Sequence, residues 1–189
     1  MGKLLVVSGT QKSTESLSQL LTKLGYTDFS IVENAERAKS MVLHTSYDIA
    51  IINIPLQDQT GIELSQFIAE NFITSVIVLV KEAYAVAVQK KTEDTGIFIV
   101  TKPLNPALFH QALRFVSAAQ KRMDSLHQEN KKLAQKVEDL KIIDRAKCCL
   151  MEYLKISESA AHRHIEKQAM DMRLSKRNIA ENILKTYES

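Results

Sequence analysis

The sequence predicts an α/β domain over roughly the first two-thirds of the chain and an all-helical arrangement over the rest. Three observations predict this. The last glycine is Gly96 and the last proline is Pro106, so the final 83 residues contain neither helix breaker. Before that point, short apolar runs rich in β-branched residues recur five times, with helical-period stretches between them. The runs are also close to continuously apolar. Strands buried on both faces of a parallel sheet need that pattern, and a half-exposed antiparallel sheet does not produce it.

The elements follow in order. LLVV (4–7) is the first strand and SLSQLLTKL (16–24) the first helix; FSIV (29–32) and AERAKSMVL (35–43) are the second pair. IAIINI (49–54) is followed by IELSQFIAENF (62–72), then by the strands SVIVLV (75–80) and IFIV (97–100). Five such units in about 120 residues match a flavodoxin-like doubly wound domain, whose sites lie at the carboxyl ends of the strands. Those ends carry Ser8-Gly9, Asn53, Val80-Lys81 and Lys102-Pro103.

Composition narrows the function classes. The 189 residues are 45% hydrophobic and 25% charged, which is globular, and no apolar run approaches the ~20 residues of a membrane span. The start, MGKLLVVSG, lacks a secretory pattern, so a cytoplasmic protein is expected. The adjacent Cys148 and Cys149 are expected to pack helices, since no second Cys or His pair stands at zinc spacing. No nucleophile–base pair, phosphate loop or metal cluster is recognisable, so neither an enzyme nor a cofactor is expected. Residues 1–119 hold 10 Lys+Arg against 11 Asp+Glu, and residues 120–189 hold 15 against 11. The basic excess therefore lies in the C-terminal part, where it fits a polyanion partner or a solvated helical surface.

Residues 3 to about 118 resemble the receiver domain of bacterial response regulators. The strand order, Gly61 eight residues after Asn53, and Lys102-Pro103 after the fifth strand carry the resemblance. Receiver domains hold acidic residues after the first strand, an acceptor Asp after the third, Ser or Thr after the fourth and Lys after the fifth. Only Lys102 matches; Ser8 and Gly9 replace the acidic pair, Asn53 the acceptor and Val80 the hydroxyl. An amide oxygen is a far weaker nucleophile than a carboxylate, and Mg²⁺ prefers carboxylate oxygens. Glu15 and Asp58 are the nearby acids in sequence, and both read as exposed loop or helix-start residues. The expectation is a pseudo-receiver that serves as an interaction surface for a regulatory protein. Lys102 is expected to tie Asn53 or a strand-end carbonyl.

A connector follows. Val116, Met123, Asn130 and Val137 fall at one position of a seven-residue repeat, and Ala119, Leu126, Leu133 and Leu140 at another. Asn130 pairing across a parallel two-stranded coil penalises other registers. Val116, Met123, Leu126, Asn130, Leu133, Val137 and Leu140 are therefore expected to form a homodimer interface; the competing reading packs the same stripe on the first domain. The repeat fails at Asp144 and Lys147. The expected boundaries are 1–118 for the pseudo-receiver, 119–142 for the coil and 143–189 for the C-terminal domain.

Three helices fit the last segment. The first carries Ala146, Leu150 and Leu154. The second follows a Ser157 cap with Ala161, Ile165, Ala169 and Met172, and the third follows Ser175 with Ile179, Ile183 and Leu184. Arg145-Ala146-Lys147, Leu150-Met151-Glu152, Ile156-Ser157-Glu158, Ala161, Gln168-Ala169-Met170, Arg173 and Ile179-Ala180-Glu181 resemble the ANTAR domain of RNA-binding transcription antiterminators. Cys148 stands where that family usually has Gly. The resemblance implies a dimer that binds paired hairpins in nascent leader transcripts and prevents an overlapping terminator from forming. Residues 145–185 hold nine Lys+Arg against five Asp+Glu, enough for phosphate contacts. The candidates are Arg145, Lys147, Arg163, Lys167, Arg173, Lys176 and Arg177. The alternatives are a DNA-binding response regulator or an interaction module without RNA binding. A Gly-free coil fused to the three helices favours RNA over the flexible linker of DNA-binding regulators.

Overall fold

A computed structural model describes residues 2–58 and 60–187. The chain divides into two compact units, Met1–Ser125 and Leu126–Ser189.

In the first unit, β1 (Leu4–Ser8), β2 (Phe29–Val32), β3 (Ile49–Asn53), β4 (Ser75–Lys81) and β5 (Phe98–Lys102) form one sheet in the order β2-β1-β3-β4-β5. All four pairings are parallel. The α/β expectation holds, and the near-continuous apolar strands have the predicted cause: both faces are covered. Leu5, Val7, Ala50, Ile52, Val76, Val78 and Val80 point into one buried core with α2 (Ala35–His44), α3 (Ile62–Asn71) and α4 (Glu82–Thr92). Leu4, Val6, Ile49, Ile51, Ile77 and Leu79 point into the other, against Leu17 and Leu21 of α1 (Gln11–Lys23) and Phe109, Leu113 and Val116 of α5 (Pro106–Leu154). Burying each such side chain contributes about 1.5–3 kcal/mol before the entropy of ordering it is counted.

The register positions the strand ends. Ser8 pairs with Asn53, Asn53 with Leu79 and Lys81 with Lys102. The strand order reverses between β1 and β3, so Ser8 and Asn53 stand at the topological switch point. Gly61 precedes α3 with φ 86°, and a Cβ there would meet Ile54 Cγ2 at 2.5 Å. Its place after β3 is therefore set by backbone geometry and close packing.

Helix α5 runs without interruption for 49 residues, so the coil and the first helix of the C-terminal domain are one element. No Gly or Pro stands inside it to end it. Val116 corrects the predicted dimer stripe: it is buried with Phe109 and Leu113 in the first unit's core. Met123, Leu126, Leu133, Val137 and Leu140 remain exposed on the helix, as does Asn130.

The second unit adds α6 (Glu158–Met172) and α7 (Lys176–Tyr187). Ser157 Oγ accepts from the Ala160 amide and Ser175 Oγ from the Asn178 amide, so both predicted serine caps form. Ala146, Cys149, Leu150, Ala161, Ile165, Ala169, Ile179, Ala180 and Ile183 make its core. Small alanines on all three helices allow close approach. Leu154 and Met172, which continue the apolar pattern of their helices, are exposed because each lies at the last residue of its helix. Cys149 packs in the core, whereas Cys148 is exposed and does not pack as expected.

Candidate functional site

Two groups of residues emerge, one in each unit. At the switch point, Lys102 Nζ donates to Asn53 Oδ1 at 2.9 Å and to the Ile54 carbonyl at 2.8 Å. Asn53 Nδ2 donates to Ser8 Oγ at 3.0 Å. Both expected Lys102 contacts are thus present, in a chain that runs ammonium, amide, hydroxyl. Gly9 lies outside this hydrogen-bonded chain: its carbonyl accepts from Gln57 Nε2 at 2.5 Å. Val80 stays out: it is buried in the core beneath α3 and α4. Burial, and then the nearby Lys81 charge, push the Lys102 ammonium below the ordinary lysine range. The Asn53 amide and the Ile54 carbonyl that accept from it are neutral dipoles.

The nearby acids serve other ends. Asp58 accepts from the Ala35 amide at 2.9 Å and the Glu36 amide at 3.2 Å, which ties it to the N-terminus of α2. Glu15 accepts from Gln11 one turn back along exposed α1. The donors at the strand ends are therefore an amide, a hydroxyl and an ammonium, a set that does not fit Mg²⁺. Among the described residues, no group of three or more His, Cys, Asp or Glu is placed to hold a metal.

In the second unit the seven predicted cations separate by partner. Lys147 Nζ sits 2.8 Å from both Asp144 Oδ1 and Glu158 Oε1, with its side chain only 14% exposed. Hydrogen bonds that the ammonium donates to these carboxylates, Asp144 first, hold it above the ordinary lysine range. Lys176 pairs with Glu166 at 2.6 Å. Arg177 bridges Asp139 at 2.7 Å and Glu181 at 2.8 Å, which joins α7 to α5. These three cations pair with carboxylates of neighbouring helices, which partly neutralises them as phosphate contacts. Arg163, Lys167 and Arg173 are exposed and make no ion pair among the described residues. Arg163 and Lys167 stand one turn apart on α6. Arg173 caps α6 at φ 54°, a left-handed position that glycine would adopt with less strain. Arg145 is exposed on α5. Sequence reasoning counted cations and missed their partners: Glu158 and Glu166 lie 11 and 10 residues from theirs, and Asp139 lies 38 from Arg177.

A model of the response regulator receiver domain matches residues 4–114, more than half of the chain. The chain belongs to the response regulators. An ANTAR domain model matches residues 131–184, so the receiver domain is followed by an ANTAR domain. Over 170 residues the chain is 22% identical to the transcriptional regulatory protein PdtaR of Mycobacterium tuberculosis, covering 90% of this chain and 83% of that one. The receiver fold is shared with the receiver domain of an HD domain-containing protein from Pseudomonas fluorescens Pf-5, at 22% identity and TM-score 0.60 over 65% of this chain and 91% of that one. A CheY-like receiver domain from Methanospirillum hungatei JF-1 gives 19% identity and TM-score 0.59 over 65% and 98%. None of the described helices is long and apolar enough to cross a membrane.

Proposed function

We propose that this response regulator is a cytoplasmic, non-enzymatic RNA-binding antitermination factor. As a homodimer it grips paired hairpins in nascent leader RNA, and its receiver domain is not switched by aspartyl phosphate. One observation carries the reading: the ANTAR match falls on a three-helix unit that leaves Arg163, Lys167 and Arg173 exposed for phosphates. The name of the mycobacterial relative, a transcriptional regulatory protein, fits it. The receiver part of the proposal rests on Asn53, whose amide occupies the acceptor position and is already bonded on both sides. Control then comes from a protein bound to the receiver domain, from a ligand or from the amount of the chain.

The test measures retention of an RNA pool made of two stem-loops with randomised loops, beside duplex DNA of the same stem sequences. Selective retention of RNA, falling with salt, is expected. Tighter binding to the DNA overturns the reading in favour of a DNA-binding regulator. Retention of neither leaves a pure interaction module.

A further inference from the structure

The second unit contains two residues of the Phe, Tyr and Trp class: Tyr153, which is exposed, and Tyr187, which is partly buried and packs against the core. They stack on each other, with ring centroids 5.0 Å apart and planes 28° apart. Tyr153 is the last residue but one of α5 and Tyr187 the last of α7, so the stack lies at the end of the unit where α5 hands over to α6. Tyr187 covers one face of Tyr153, yet Tyr153 remains 56% exposed. An aromatic ring serving only as core filler would be turned inward, among the alanines and isoleucines already there.

The chain beside the stack is also unusual. Lys155, two residues after Tyr153, takes φ 54°, a left-handed conformation that disfavours any side chain but suits glycine. Lys155 and Arg173 are the two non-glycine residues with positive φ among those described, and both are exposed cations that follow a helix end. A left-handed residue commonly ends a helix, and a side chain there costs strain that glycine would avoid. The N-terminus of α6, with its partial positive charge, begins three residues later at Glu158. An aromatic face, an exposed cation two residues along the chain and a helix N-terminus therefore share one end of the unit.

We infer that the Tyr153–Tyr187 stack is a platform for an unpaired base of an RNA loop, with Lys155 meeting the adjacent phosphate. Single-stranded bases are recognised by stacking on exposed aromatic rings, whereas the stem is read through its backbone. The division of labour follows: Arg163 and Lys167 on α6 meet the stem phosphates, and Tyr153 takes the loop. Tyr187 supports the lower face of Tyr153 and fixes its orientation. The inference rests on the RNA reading above and deepens it.

The experiment uses the full chain and RNA selected from the randomised two-stem-loop pool. Tyr153→Ala is expected to weaken binding by about 5- to 150-fold, the range for loss of one base stack, while Tyr153→Phe stays within about twofold of wild type because the ring remains. The chain has five tyrosines and no tryptophan, so the part of the RNA-induced tyrosine quenching that is lost in Tyr153→Ala reports stacking at this site, and it should be most of the total. A 5-iodouridine in the selected loop should photocrosslink to the peptide containing Tyr153. Circular dichroism melting separates folding from contact, and Lys155→Gln, at an exposed turn, provides a second variant that folds; it should weaken binding several-fold. RNA binding unchanged by Tyr153→Ala, with no crosslink at Tyr153, overturns the platform and leaves the RNA reading intact. If the wild-type chain retains none of the pool, the RNA reading fails and the platform with it.

Discussion

Asn53 is the residue on which the behaviour of the receiver domain turns. Its amide is oriented by two different neighbours, with Oδ1 accepting from Lys102 and Nδ2 donating to Ser8. A carboxylate at 53 would accept from both, so Asn53→Asp fits the site sterically and restores a nucleophile. It adds one carboxylate but not the acidic pair, because Ser8 and Gly9 remain and Asp58 is tied to α2. Incubating Asn53→Asp with a small phosphodonor and Mg²⁺ should therefore leave the intact mass unchanged; efficient labelling would show that the strand ends bind the metal after all. Lys102 has a structural role that can be measured separately. In Lys102→Ala the Ile54 carbonyl and Asn53 Oδ1 lose their donor, at a cost of about 1–3 kcal/mol, read as a lower urea midpoint at unchanged slope. A midpoint equal to wild type would mean that water replaces the ammonium freely. The strand-end residues were legible because a parallel sheet aligns its carboxyl ends, so position alone brings 8, 53 and 102 together. Val80 stands at the end of β4 where the sequence puts it, and strand alternation turns its side chain into the core.

Among the elements, the five strands were readable from their apolar runs, and helix α4 was not. Its sequence, EAYAVAVQKKT, alternates small and apolar residues like a strand, and the structure explains why: Tyr84 and Val86 are exposed and only Val88 and Thr92 are buried. The connector was legible as a helix because breakers are absent, but the same pattern could not show that Val116 faces inward. In the second unit, helix ends were the weak point, since a periodic pattern continues past the last packed turn at Leu154 and Met172. The ion pairs between helices carry a pH prediction. Hydrogen bonds from Gln135 and Arg177 hold the Asp139 carboxyl below its ordinary range, and Lys176 does the same for Glu166. A carboxylate depressed in the folded state stabilises it above the unfolded pKa and loses that contribution as pH falls through the folded one. The second unit should accordingly lose melting temperature progressively below about pH 4, and the double variant Asp139→Asn, Glu166→Gln should start lower and show a smaller acid-dependent fall. An acid profile identical in variant and wild type would remove these pairs from the account. The effect is modest, because both pairs are partly exposed and screened by salt.

For the whole molecule, the order of its parts is what the sequence disclosed most completely: a grammar of strands and breakers gives way to an unbroken helix and then to capped short helices. Function in the proposed reading depends on duplicating the last part. In that reading the exposed stripe of Met123, Leu126, Leu133, Val137 and Leu140 would be the surface for it, and Leu133→Asp places a charge at its middle. Light scattering should report about twice the 21.3 kDa chain mass for wild type and the single mass for the variant. The consequence for RNA follows from effective concentration. In a dimer the second hairpin binds intramolecularly, so paired hairpins should bind ~10²–10⁴ times more tightly than either alone when the spacer matches the span. Lengthening the spacer should erode the gain gradually, since local concentration falls as roughly the −3/2 power of length. Leu133→Asp should keep the single-hairpin affinity, because the three-helix core built on Ala146, Ile165 and Ile179 lies elsewhere, and lose the gain for the pair. Equal affinities of the wild type for single and paired hairpins would refute the two-headed mechanism even if RNA binding itself stands. A monomeric wild type that still shows the gain would place the second RNA site within one chain.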